Sequence, residues 1–109
     1  MSWLVRDGDV LGTAEVAHTA RSRRRGLLGR DGHDGALVLC PCRHVHTVAM
    51  RFPIDVAFCD AEGVVLRTMT LAPWRLSPYV RRAAFVVEAE AGAFDRWRLR
   101  AGDRLELRP

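Results

Sequence analysis

Lysine is absent: all seventeen basic residues are arginine. A GC-rich genome favouring arginine and alanine codons accounts for that bias, so arginine enrichment alone does not define a function. No apolar run approaches the ~20 residues that a membrane-crossing helix needs, so no membrane insertion is expected. The chain opens with a short apolar stretch soon interrupted by Arg6, Asp7 and Asp9. That stretch is too brief for the apolar region of a signal peptide, and a cytoplasmic protein is expected. The three cysteines, an odd number, do not make a disulfide framework. In an extended chain Cys40 and Cys42 lie too close for an unstrained bridge, and a reducing compartment suits the pattern best. Neither a zinc-finger spacing nor an aromatic-rich RNA-binding motif is present, so no nucleic-acid partner is expected. Gly26 and Gly29 flank Leu27-Leu28 but lack the spacing and lysine of a phosphate loop. No serine nucleophile motif accompanies the histidines.

What remains is a chain of 109 residues that is 49% apolar and carries a net charge of +4. That is one domain, residues 1–109, with a core large enough to fold alone. Alternation from Trp3 to Arg6, the Asp7-Gly8-Asp9 turn and a returning run over Val10 to Ala17 predict a hairpin. Thr19 is a helix N-cap candidate. Ala20 to Leu28 has the composition of a short helix stopping at Gly29, with Ala20, Leu27 and Leu28 inward and the arginines in water. Strands are expected over Ala36 to Cys40, Ile54 to Phe58, Val64 to Leu71, Ala83 to Ala89 and Leu105 to Leu107. An extended segment is expected from His44 to Met50, and a short helical turn after Gly92 through Trp97 and Leu99. Short strands separated by turns, with one or two short helices, define a mainly β fold (α+β by content). Its expected form is an antiparallel jelly-roll-like sandwich or barrel.

Five motifs occur in order: GLLGR at Gly26 to Arg30, HTVAMRFPIDVAF at His46 to Phe58, the Asp60 to Val64 turn, VVEAEAG at Val86 to Gly92, and Ala101-Gly102-Asp103 before the last strand. As a set they resemble the family called domain of unknown function 192, over nearly the whole chain. The resemblance implies a jelly-roll-like β fold and no established biochemical activity. Many members carry Trp-Met-Lys-Asn-Thr before a Pro-Leu-Asp corner, where this chain reads His46-Thr47-Val48-Ala49-Met50. The Cys42 to Thr47 form, Cys-x-x-x-His-Thr, resembles a subgroup variant. A histidine that most relatives replace argues against histidine catalysis as the shared function.

The segment from Cys40 to Asp60 concentrates the reactive side chains. The leading expectation is a non-enzymatic ligand-binding or accessory domain serving an unknown small molecule or protein partner. Its site would be formed by His46, Thr47, Met50 and Asp55, with Arg30 or Arg51 as a cationic edge. A carboxylate at Asp55 needs a partner. It either faces a ligand or is a structural acid that accepts backbone N–H bonds at the corner or pairs with Arg51 or an arginine of the helix, and the structural reading is preferred. A second expectation is a metal protein or metallo-hydrolase using Cys42, His44 and His46, with zinc the candidate ion. Cys40, Cys42, His44 and His46 share one parity, although Pro41 interrupts a regular strand. A third is an interaction module that docks an acidic partner through Arg21 to Arg25. Glu88 and Glu90 alternate on one strand face and are read as the solvated side of an edge strand. Trp74, Tyr79 and Pro73 either line a groove or fold over the core.

Overall fold

A computed structural model describes residues 2–19, 22, 23, 27, 32 and 34–109. Among the described residues seven strands form one sheet: β1 (Ser2–Arg6), β2 (Asp9–Ala17), β3 (Ala36–Leu39), β4 (Ile54–Cys59), β5 (Val65–Leu71), β6 (Phe85–Glu90) and β7 (Leu105–Arg108). One short helix, α1 (Ala93–Trp97), follows β6. The order across the sheet is β5-β4-β6-β3-β2-β1-β7. Five of its six pairings are antiparallel, and β2 and β3 run parallel. The parallel step costs a long connection between Ala17 and Ala36, since parallel neighbours cannot be joined by a tight turn.

Local sequence explains the hairpins. Asp7 and Gly8 both take positive φ, 52° and 84°, as a two-residue turn matching the strand twist requires. Between β4 and β5, Asp60 Oδ1 accepts from the N–H groups of Glu62 and Val64 at 3.0 and 2.9 Å. Thr19 does act as a cap: its Oγ1 accepts from Ser22 N–H at 3.0 Å, and Ser22 Oγ accepts from Thr19 N–H at 3.1 Å. Ser22 and Arg23 are helical and Leu27 is buried. The rest of the expected helix and its cap at Gly29 lie outside the described residues.

The sheet curls into a half-barrel and is buried on both faces at its centre. Every residue of β3 and β4 is buried, which is why ALVL and IDVAFC read as nearly continuous apolar runs rather than alternating ones. One face gathers Val38, Ala57 and Val87 with Leu4, Phe94, Leu99 and Leu105. The other gathers Leu37, Val56, Phe58 and Val86 under Leu27, Val45, Met50 and Phe52. The two edges meet at one end, where Val64 bridges Arg104. There Val65 N–H donates to Asp103 O at 2.7 Å and Leu105 N–H to Gly63 O at 2.8 Å.

β6 is an interior strand, between β4 and β3, which corrects the edge-strand reading of its glutamates. Glu90 is exposed at the strand end, but Glu88 is 3% exposed. It sits in register with Leu37 and Val56. Alternation gave the shared face correctly; strand order, which decides solvation, is not written in one strand's pattern.

Candidate functional site

The expected site residues divide between two sides of the sheet. Met50 packs in the cluster containing Ile54 and Val56. Asp55 takes the opposite parity, in register with Ala89. Its carboxylate accepts from Thr70 Oγ1 at 2.7 Å and from the N–H groups of Gly92 and Phe94 at 2.9 and 3.1 Å. Asp55 therefore fastens the start of α1. Thr47 is fully buried. Its hydroxyl donates to Ala72 O at 2.6 Å and accepts from Arg75 N–H at 2.8 Å, so it pins the 72–75 loop. His46 is exposed, and its Nδ1 accepts from Val48 N–H at 3.3 Å. Arg51 is exposed and has a partner of its own. Arg30 lies outside the described residues.

The three residues considered for a metal are all described. β3 ends at Leu39, so Cys42, His44 and His46 are not successive positions on one strand. Among the described residues no group of three or more histidine, cysteine or acidic side chains is placed to hold a metal ion. The Cys42 thiol donates to His44 O at 3.1 Å, and burial pushes its pKa up, with Glu88 adding to the rise. Burial likewise pushes the Cys59 thiol up to about 12. Of the Arg21 to Arg25 cluster, only Ser22 and Arg23 are described; Arg23 donates to His18 O and Cys40 O.

A concavity of about 380 Å³ lies elsewhere, between β1, β2 and α1. Trp3 and Trp97 bound it, Leu11 and Gly12 form part of its lining, and Thr13, Asp34, Glu90 and Arg96 supply polar groups. A β-carbon at Gly12 would lie 3.3 Å from the Trp97 ring, so the missing side chain leaves room for the indole. Trp97 is steadied by Phe94, with ring centroids 5.8 Å apart. α1 is held at both ends. Asp55 binds its first N–H groups, and Arg6 donates to Trp97 O at 2.7 Å and Arg98 O at 3.0 Å while pairing with Asp103 at 3.1 Å. Sequence reasoning missed this groove because its walls come from four separate stretches. The usable signals were Gly12 inside a strand and the two tryptophans near opposite ends of the chain.

A curled, mainly antiparallel seven-stranded sheet with a short helix clamped against one end defines the structural class. Within it, the chain belongs to family DUF192, described as Uncharacterized ACR, whose profile matches residues 3–107. It is similar to a UPF0127 protein of Pyrococcus abyssi, 28% identical over 100 residues, covering 87% of this chain and 86% of that one. A UPF0127 protein of Pyrococcus furiosus is 37% identical over 62 residues, covering 57% of this chain and 53% of its own. A protein of unknown function from Novosphingobium aromaticivorans superposes with a TM-score of 0.81 at 18% identity, over 96% of this chain and 82% of that one. A Sinorhizobium meliloti protein described as a "putative transcription regulator" superposes with a TM-score of 0.82 at 23% identity, over 96% and 90%. At these identities the likeness carries the fold alone.

Proposed function

We propose that this chain is a non-enzymatic ligand-binding domain whose ligand occupies the Trp3–Trp97 groove. The observation that carries the reading is the groove's lining: two indoles with a guanidinium, two carboxylates and a threonine hydroxyl around about 380 Å³. Indole faces favour flat or ring-shaped ligands, and a few convergent polar groups fix orientation. Asp34 and Glu90 against Arg96 leave the lining acidic, which favours a neutral, hydroxyl-bearing ring such as a sugar over a phosphate ester. Asp55 is then a positioning residue, acting through α1. Jelly-roll-like is our finer reading of the curled sheet, and a cytoplasmic location our reading of the three free cysteines.

Tryptophan fluorescence tests the assignment. Trp74 is 63% exposed and absent from the groove lining, so Trp74→Phe leaves both remaining indoles at the groove. Titration of that variant with a panel of mono- and disaccharides is expected to give a saturable emission change. Arg96→Gln should weaken it about tenfold, a loss of roughly 1.4 kcal/mol. No response from any sugar, or an undiminished response after Trp3→Ala combined with Arg96→Gln, rejects the groove as the binding site.

A further inference from the structure

Away from the groove, residues 43–48 and 74–80 form an irregular antiparallel ribbon outside the seven strands. His46 bridges Leu76, Thr47 N–H donates to Arg75 O, Ser77 N–H to Val45 O and Val80 N–H to Arg43 O. Val45 and Thr47 turn inward and anchor it. Outward, Trp74, Leu76 and Tyr79 are 63%, 74% and 62% exposed. His44 packs against Tyr79 with ring centroids 5.9 Å apart, and Arg43 Nη1 donates to Tyr79 Oη at 3.4 Å. Large apolar groups this exposed on one short ribbon mark an interaction surface more often than scattered single ones do.

Charge is segregated along the same stretches of the sequence. Residues 40–54 and 72–84 contain five arginines and neither aspartate nor glutamate. The rest of the chain, with twelve arginines and thirteen carboxylates, is close to neutral. Arg43, Arg75, Arg81 and Arg82 are all exposed. Tryptophan, tyrosine and arginine together, with acidic residues depleted, is the composition of a protein–protein contact centre.

We propose that this ribbon docks an acidic segment of another protein bearing an apolar or aromatic anchor. The carboxylates would meet the arginines and the anchor would cover Leu76 between Trp74 and Tyr79. A second copy of this chain is disfavoured, since a two-fold contact would set the arginines against themselves. Single-stranded nucleic acid is disfavoured because Leu76 and Pro78 interrupt the rings on which successive bases would stack.

The test is fluorescence anisotropy of the intact protein with three labelled probes: a glutamate–tyrosine copolymer, polyglutamate of equal length, and an oligothymidine. The copolymer should bind tightest. Leu76→Ser with Tyr79→Ser should weaken it about tenfold. Arg75→Gln with Arg82→Gln should weaken it about as much and flatten its salt dependence. Arg67→Gln with Arg100→Gln removes the same charge at exposed sites elsewhere and should leave affinity unchanged. All these side chains are exposed, and thermal melts verify that each variant is folded. The proposal is overturned if polyglutamate binds as well as the copolymer, if oligothymidine binds tighter, if the control pair loses as much affinity, or if the copolymer does not bind.

Discussion

Among the described residues three buried polar side chains, Thr47, Asp55 and Glu88, behave differently because their partners differ. Thr47 and Asp55 are hydrogen-bonded to backbone groups or a hydroxyl. Glu88 has no hydrogen-bond or ion-pair partner among the described residues, and burial pushes its carboxyl up to about 7 from 4.5. Between those two values the folded chain holds a proton that the unfolded chain has released. Stability therefore falls as pH rises from about 4.5 to 7 and is level above it. The total cost is on the order of 3 kcal/mol. Glu88→Gln should be more stable than the parent at pH 8 and remove most of the slope in urea midpoint across that window. An equal slope in both proteins would place the titration elsewhere. Thr47→Val keeps the volume but leaves Ala72 O and Arg75 N–H without their buried partner. Urea unfolding should show a loss of about 1–3 kcal/mol.

α1 has five residues, too few to hold together by its own hydrogen bonds. Its N-cap position, Gly92, supplies no side-chain acceptor, so the carboxylate comes from β4 instead, at Asp55. Arg6 from β1 serves the other end, where a cation meets the carbonyl dipoles. Asp55→Ala should cost about 3 kcal/mol, since it strands a buried and a part-buried N–H group at once. Hydrogen exchange should show residues 92–98 losing protection before the sheet does. Loss of protection across all strands together would show that α1 is not a separate unit. Asp55 stood out in the sequence as a carboxylate needing a structural partner, with backbone N–H groups and a nearby arginine both open; the partners are backbone N–H groups. That those groups belong to a helix nearly forty residues later was not legible, because no local pattern encodes that approach.

For the molecule as a whole, the seam between the sheet edges is the vulnerable feature. Gly63 sits at φ 87°, and a β-carbon there would overlap the Leu105 carbonyl oxygen that faces it. Gly63→Ala should separate β5 from β7, lower stability by about 2–4 kcal/mol and expose the edges that bridge now protects. Circular dichroism melts would record the loss; a melting temperature within experimental error of the parent would mean the seam carries little. The same curvature brings β1, β2 and α1 together around the groove, so the proposed binding site and closure depend on one geometry. No described helix is long and apolar enough to cross a membrane.

Hairpins, turns, the Thr19 cap and the mainly β class were readable from the sequence, because alternation, Asp-Gly turns and capping chemistry act over a few residues. So was the resemblance to the family. Tertiary structure alone decided the parallel β2–β3 step, the interior position of β6 that buries Glu88, the separation of Met50 from Asp55 by the sheet, and the groove built from Trp3 and Trp97. Each of these depends on which strands become neighbours. That choice is set by burial summed over the whole core, and no short window of sequence contains the sum.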